Sequence, residues 1–141
     1  MNQPFLSIAV PTFNRAKKLE SQLSSLHKIL LNSRFSSNIE LVVVDNCSTD
    51  STQDCIKHFN NLEREYIFLS YKNEMNIGAE RNFGQGILRS QGEFTWLLSD
   101  DDTVHEDAID HIYESLYNNQ EVGFCFVNFD LDPTIGVPAI K

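Results

Sequence analysis

The sequence predicts one α/β domain of three layers, in which a mainly parallel sheet lies between two layers of helices. Three observations support this fold class. Short apolar runs alternate with segments of helical periodicity along nearly the whole chain. The length of 141 residues is that of one ordinary domain. The hydrophobic fraction of 41% and the charged fraction of 22% are typical of a globular protein.

The predicted elements alternate between strand and helix from the first apolar run onward. Leucines at steps of three and four after that run indicate one face of a helix. A β-branched run then indicates a strand buried on both faces, whereas Gly84 and Gly86 weaken the third helix. The predicted strands are Leu6–Pro11, Glu40–Asp45, Tyr66–Tyr71, Phe94–Ser99 and Val122–Phe129, and the predicted helices are the leucine-rich segment from Ala16, Ser51–Asn60, Ala79–Arg89 and Glu106–Tyr117.

The composition argues against several classes of function. Twenty acidic against eleven basic residues give a formal net charge of −9, whereas duplex DNA binders are normally basic, so nucleic acid is not an expected partner. Three widely spaced cysteines form no CxxC pair, and no apolar run reaches the roughly 20 residues of a membrane span. We therefore expect a soluble, cytoplasmic protein, and the loop-like ending DLDPTIGVPAIK indicates a portion of a longer chain.

Three adjacent carboxylates, Asp100, Asp101 and Asp102, follow the predicted fourth strand and are called the acidic run below. No basic residue flanks them in the sequence, so their mutual repulsion needs another explanation. One interpretation is a solvated turn before the next helix, whose N-terminus favours acidic side chains. The other is a hard cation such as Mg²⁺ or Mn²⁺, which one or two carboxylates and substrate phosphates hold. The acidic run favours the metal–phosphate interpretation.

Asp45 ends the valine-rich second strand, at the sheet edge where α/β proteins bind ligands. The alternative is that Asp45 forms an Asx-turn or caps the following helix. Because Ser48, Thr49 and Asp50 already supply capping side chains, we expect the Asp45 carboxylate to be free. It would then accept hydrogen bonds from a pyrimidine imide or from ribose hydroxyls.

The segment from Asn76 to Asn82 precedes the predicted fourth strand and begins a helix. Gly78 indicates a tight backbone turn there, which puts Arg81 and Asn82 on the first helical turn. A helix N-terminus with an arginine can contact a base or a phosphate. Surface polar residues at an ordinary helix start are an equally good interpretation of the spacing.

Three segments together, SIAVPTFNR, ELVVVDNCSTDST and NIGAERNFGQGILRSQGEFTWLLSDDD, resemble the nucleotide-binding half of a family 2 glycosyltransferase with the Rossmann-like GT-A fold. The resemblance extends from Ser7 to about Phe129. It implies inverting transfer from a nucleotide-diphospho-sugar, usually UDP-linked, to a hydroxyl of a glycan, lipid or other acceptor in polysaccharide biosynthesis. It further implies dependence on Mg²⁺ or Mn²⁺ and peripheral membrane association of the full-length protein.

By motif match, the resemblance also assigns site residues. Arg15 would lie near the diphosphate, Asp45 on the base, and the segment from Asn76 over the nucleotide. Ser99 stands where many members have the first Asp of the DxD motif, so either Asp101 or Asp102 could be the metal ligand, with Asp100 on the ribose side. The implied nucleotide-sugar contacts are Pro11, Thr12, Asn14, Arg15, Asp45, Asn76, Gly78, Arg81, Asn82 and Asp100.

Two other functions remain open at this point. The resemblance implies that the acceptor-binding half and the general base lie later than this sequence extends, so the chain could be a non-catalytic nucleotide-sugar-binding module. A phosphatase of the haloacid-dehalogenase type would use Asp100 as nucleophile and Asp102 as acid/base. That motif belongs on the first strand of its fold, whereas the acidic run follows the fourth.

Overall fold

The computed structural model describes residues 3–119, 121–123 and 127. Strands and helices alternate in these residues, and one short 3₁₀ turn, Ser36–Asn38, lies before the second strand. The strands are β1 (Leu6–Thr12), β2 (Ile39–Asp45), β3 (Ile67–Lys72) and β4 (Phe94–Leu97), and the helices are α1 (Ala16–Asn32), α2 (Thr52–Asn60), α3 (Ala79–Arg89) and α4 (Ala108–Tyr117).

The four strands form one parallel sheet in the order β3-β2-β1-β4, which confirms the predicted α/β class. The chain moves outward from β1 to β3 and then returns to the other side of β1, so the strand order reverses between β1 and β4. Thr12 is level with Asp45, and Asp45 is level with Lys72, so β1, β2 and β3 end side by side. The predicted fifth strand lies almost wholly outside the described residues.

One face of the sheet carries the larger core. Alternate residues of β1 and β2 point to this face, as the period of two requires, and the apolar stripe of α1 covers them. Helices α2 and α4 complete the same cluster. Its fully buried members include Leu6, Ile8, Val10, Leu19, Leu23, Leu26, Leu30, Leu41, Val43 and Ile109.

The opposite face of the sheet is covered by α3. Its buried cluster is small and contains Ala9 and Val42. An added Cβ at Gly86 would lie 3.3 Å from the Cβ of Ala9 and from Cδ2 of Leu97. The absence of a side chain at Gly86 therefore lets α3 approach the sheet closely, and α3 continues through both of its glycines as predicted.

Most predicted boundaries agree with the structure within one residue, but β4 and α4 differ by two. β4 ends at Leu97 because the Ser99 amide donates to Oδ2 of Asp102, at 3.1 Å, and leaves the sheet. The chain from Asp102 then forms a loop, and α4 begins only at Ala108. No helix among the described residues combines the length and the apolar character needed to cross a membrane.

A buried polar contact holds the opposite edge of the sheet, at the start of the strands. The Ser7 hydroxyl donates to Oε2 of Glu40 at 2.5 Å, and the backbone N–H of Gln91 donates to the same oxygen at 2.9 Å. The Gly92 amide donates to the Ser7 hydroxyl at 2.8 Å. This contact fixes the turn between α3 and β4.

Gly92→Ala is expected to lower the free energy of unfolding by about 1–3 kcal/mol, the usual cost of an overpacked site. The new Cβ would lie 2.7 Å from both the amide nitrogen and the hydroxyl of Ser7. Denaturant unfolding measures the change. The control is Gly84→Ala in α3, where no atom lies within 4 Å of the added Cβ and a gain of about 0.5–1 kcal/mol is expected. Equal stabilities for Gly92→Ala and the parent would contradict this packing.

Candidate functional site

The loops after β1, β2 and β4 meet at the carboxyl edge of the sheet, as predicted. β4 is paired so that Leu97 is level with Ala9 of β1, and three further residues bring the chain beside the end of β1. There the Thr12 hydroxyl donates to Oδ2 of Asp100 at 2.7 Å. Asp100 is only 3% exposed. This contact lies where the strand order reverses, the usual ligand-binding position of open α/β sheets.

The loops after β1 and β2 are joined by hydrogen bonds. The backbone N–H of Asn14 donates to the Ser48 hydroxyl at 2.8 Å, and the backbone N–H of Thr49 donates to the side-chain oxygen Oδ1 of Asn14 at 2.8 Å. Asn14 reaches this position with a φ of 50°, which asparagine tolerates better than most residues. The backbone N–H of Asn46 donates to the backbone carbonyl of Thr12 at 2.9 Å. These contacts make one continuous surface of the two loops, with Pro11 buried beneath it in β1.

Asp50 caps two helices, which confirms its predicted capping role and extends it. Its Oδ1 accepts from the amide and the hydroxyl of Thr52, at the start of α2. Its Oδ2 accepts from the Ala16 amide at 3.0 Å, at the start of α1. The Thr52 hydroxyl is the main reason that the pKa of Asp50 lies below its usual value. Both helices therefore begin at fixed positions beside the site.

The Asp45 carboxylate is fully buried and already paired, so the expectation that it is free was wrong. Its Oδ1 accepts from the Ser48 amide at 2.9 Å, which closes a tight turn, and its Oδ2 accepts from Nε2 of Gln53 at 2.6 Å. The turn takes the chain through Cys47 at a φ of 65° and leaves the Ser48 amide in need of a buried acceptor. Contact between Asp45 and a base stays a prediction.

Four side-chain amides, those of Asn46, Asn73, Asn76 and Asn82, form a network that we call the asparagine cluster. Oδ1 of Asn46 accepts from Asn73 at 3.0 Å, and its Nδ2 donates to Asn76 at 2.8 Å. Asn73 also donates to Asn82 at 2.9 Å. The Ile77 amide donates to Oδ1 of Asn46 at 3.0 Å. The cluster thereby ties the segment between β3 and α3 to the end of β2.

Gly78 directly precedes α3 and has a φ of 85°, which confirms the predicted tight turn. Its amide donates to Oδ1 of Asn76 at 2.9 Å. Asn82, on the first turn of α3, is buried and donates to the Val44 carbonyl at 3.0 Å. Arg81 is exposed beside it and makes no hydrogen bond or ion pair within the part of the chain that the structure describes. Its guanidinium is therefore available to an anionic ligand.

Two cationic side chains partly balance the acidic run: Arg15, the residue before α1, and Lys18 in the first turn of α1. No basic residue flanks the run in the sequence, and the fold brings these two to it. Nη1 of Arg15 lies 2.9 Å from Oδ1 of Asp100 and 3.1 Å from Oδ2 of Asp101. Nζ of Lys18 lies 2.7 Å from Oδ2 of Asp101. These cations are 83 to 86 residues away in sequence and reach the acidic run because β1 and β4 are neighbours.

These contacts shift the ionisation of both partners. The Lys18 hydrogen bond, followed by that of the Ser99 hydroxyl, lowers the pKa of Asp101 to about 2. The hydrogen bond to Asp100, followed by the charge of that carboxylate, raises the pKa of Arg15. The charged forms are therefore retained at neutral pH.

The acidic run fits a hard cation in its chemistry, with Asp102 as the most available ligand. Asp102 is exposed and, within the described residues, only its Oδ2 has a partner, the Ser99 amide at 3.1 Å. Asp101 is part-exposed, and its cationic partners are exchangeable. No group of three His, Cys, Asp or Glu side chains among the described residues is arranged as a metal site. The chain could thus supply one or two carboxylates, the number that Mg²⁺ usually takes from a protein when phosphates complete its coordination.

Sequence reasoning missed two residues of this site, Lys18 and Asn73, and gave a third, Asn46, no role. Lys18 follows Arg15 by three residues, so the two share a helix face, and that spacing was the available signal. The strand-end criterion that selected Asp45 also points to Asn46 after β2, and it could have found Asn73, which directly follows β3. Neither carries charge, which is why residue type alone did not distinguish them.

The model of glycosyl transferase family 2 matches residues 7–138, and the chain belongs to this family. This membership and the position of the acidic run after the fourth strand argue against the phosphatase alternative. A curated relative is poly(ribitol-phosphate) beta-N-acetylglucosaminyltransferase TarP of Staphylococcus aureus, 33% identical over 110 residues, which are 77% of this chain and 32% of the relative. The chain spans about a third to a half of the length of the first curated relatives that it matches.

Solved structures share the fold. TarS of S. aureus, in complex with UDP-GlcNAc, matches with a TM-score of 0.70 at 25% identity, over 82% of this chain and 32% of TarS. The mannosyltransferase PcManGT of Pyrobaculum calidifontis, in complex with GDP-Man and Mn²⁺, matches with a TM-score of 0.69 at 19% identity, over 82% of this chain and 33% of that protein. The second likeness shows the fold alone.

Proposed function

We propose that the chain is the nucleotide-sugar-binding part of a glycosyltransferase that uses a UDP-linked donor and a divalent cation. The observation that carries this proposal is the meeting of Thr12 and Asp100 at the reversal of strand order, with exposed carboxylates beside it. Family membership supports the reaction class, and the relatives' names support transfer to a hydroxyl of a glycan or lipid-linked acceptor. Residues 1–141 would form one domain, the N-terminal part of a larger catalytic unit.

In this proposal the nucleotide lies along the surface formed by the loops after β1 and β2. Asn14 lines it over the buried Pro11 and Thr12. Asp100 is buried and supports this surface through Thr12 and Arg15, and its contact with the ribose stays a prediction. Asp45 contributes through the turn that it holds, unless that turn opens to admit a base. Asn76 and Gly78 position the start of α3 over the nucleotide. The free Arg81 guanidinium, next to the buried Asn82, binds the diphosphate, because hydrogen bonds between ionised groups are the strong ones.

Asp102, with Asp101, would hold Mg²⁺ or Mn²⁺. Held there, such a cation would supply positive charge to the diphosphate and would thereby stabilise the nucleoside diphosphate as the leaving group. Arg15 lies beside these carboxylates and adds positive charge for the phosphates. Inversion requires a carboxylate-type base at the acceptor hydroxyl, and we assign that role to no residue of this chain. We place the whole protein in the cytoplasm, associated peripherally with the membrane.

Calorimetry with UDP tests the proposal directly. We expect UDP to bind at least about tenfold more tightly with Mn²⁺ than with EDTA, since a diphosphate otherwise faces carboxylates in a chain of net charge −9. Inorganic diphosphate, which has no base, is the control for base recognition, and UMP, which lacks only the β-phosphate, is the control for the metal bridge. Equal affinity for UDP with Mn²⁺ and with EDTA would contradict metal-mediated binding.

A further inference from the structure

Lys18 pairs with an oxygen of Asp101, one of the two carboxylates proposed to hold the metal. Its ammonium lies 2.7 Å from Oδ2, and Arg15 donates to the same oxygen at 3.1 Å. The Ser99 hydroxyl donates to the other oxygen, Oδ1, at 2.6 Å. A carboxylate oxygen accepts about two hydrogen bonds. The two cationic donors, Lys18 and Arg15, therefore use the full hydrogen-bond capacity of Oδ2 of Asp101.

The Lys18 contact is the more exchangeable of the cationic contacts in this cluster. The Lys18 side chain is 54% exposed and that of Asp101 is 37% exposed, whereas the Asp100 side chain that Arg15 also contacts is only 4% exposed. Exposed ion pairs of this kind contribute little free energy. A hydrated dication can thus replace the ammonium at Asp101 while Arg15 keeps its contact with the buried carboxylate of Asp100.

We propose that Lys18 is a positioning residue that competes with the divalent cation for Asp101 and is released by it. The proposal rests on the proposed function, since it concerns the same metal and donor. Without metal, Lys18 holds Asp101 toward α1. When a dication takes Asp101, the freed ammonium lies beside the donor phosphates and pairs with them. Removing the Lys18 charge should therefore have opposite effects on the metal alone and on the metal with nucleotide.

Electron paramagnetic resonance of free Mn²⁺ measures the first effect, on the full chain without nucleotide. Lys18→Gln is expected to bind Mn²⁺ about two- to fivefold more tightly than the parent, the range that an exposed ion pair supports. Lys17→Gln is the matched control, because Lys17 is the adjacent residue, is exposed, and has no ion pair within the described ranges. It removes the same charge and is expected to leave the affinity within a factor of about 1.5 of the parent.

Calorimetry with UDP at saturating Mn²⁺ measures the second effect, and there Lys18→Gln is expected to bind about two- to fivefold more weakly. A double-mutant cycle locates the competition: in an Asp101→Asn background, Lys18→Gln should no longer improve Mn²⁺ binding. Thermal unfolding of each variant verifies that it is folded.

The outcomes separate the two proposals. If the parent binds Mn²⁺ but Lys18→Gln and Lys17→Gln bind it equally, the competition is wrong while the metal-dependent function stands. If the gain persists in the Asp101→Asn background, Lys18 acts through general charge, which also overturns it. An unchanged UDP affinity overturns the pairing with phosphate. If neither the parent nor any variant binds Mn²⁺ without nucleotide, the competition is wrong. The metal part of the proposed function is also wrong only if UDP binds equally with Mn²⁺ and with EDTA.

Discussion

Asp102→Asn is expected to weaken UDP binding in the presence of Mn²⁺ by roughly ten- to a hundredfold or more. Removing a group that only supports a metal ligand typically costs ten- to a hundredfold in metal affinity, so removing a direct ligand should cost at least as much. Asp102 is exposed, and the backbone amide of Ser99 can still donate to the new side-chain oxygen. The backbone turn should therefore survive. Calorimetry with UDP measures the loss.

Two comparisons make this result specific. Glu106→Gln removes an exposed carboxylate of the same loop that has no assigned role, and it should leave UDP affinity unchanged. With EDTA, the parent and Asp102→Asn should bind UDP equally, apart from the small effect of one charge. An equal loss with and without Mn²⁺ would mean that Asp102 acts through the fold and not through a metal.

The position of the acidic run could be predicted from the sequence, because apolar runs marked the strands and parallel strands place their following residues at one edge. The charge balance of the run could not. Lys18 and Asp101 are 83 residues apart, and they meet only because β4 returns to pair with β1 and not with β3. Apolar runs give the number of strands but contain no information on their order. Strand order therefore decided the electrostatics of the site.

The turn after β2 shows a different limit. Ser48 was predicted to be one of the caps that leave Asp45 free, and counting residue types supported this. In the structure the Ser48 hydroxyl accepts from Asn14 of another loop, while its own amide needs Asp45 as an acceptor. Side-chain types identify the residues that can act as caps. Which acceptor is needed depends on the backbone N–H groups that must be satisfied, and their direction depends on φ. The φ of 65° at Cys47 has no signature in the sequence.

Asp45→Asn is expected to lower the free energy of unfolding by about 1.5–3 kcal/mol, the range for a hydrogen bond to a charged group. The new amide keeps an oxygen for the Ser48 amide. Its NH₂ group, however, faces the Gln53 amide, which must turn its oxygen inward to pair with it, and the charge that strengthened both hydrogen bonds of the buried carboxylate is lost. Denaturant unfolding measures this loss, and UDP affinity should fall with it because the turn forms part of the nucleotide surface.

The exchange Asp45→Asn with Gln53→Glu restores the pair with donor and acceptor reversed, so most of the lost stability should return. Gln53→Glu alone is the control, since it sets two carboxylates 2.6 Å apart and should destabilise the chain.

The double variant also separates the two roles of Asp45. If the carboxylate only holds the turn, as its burial indicates, UDP affinity returns together with stability. If UDP remains about tenfold or more weaker while inorganic diphosphate binds normally, the turn opens for the donor and Asp45 contacts the base, as the sequence predicted. If stability does not return either, the Asp45–Gln53 hydrogen bond does not stabilise the turn.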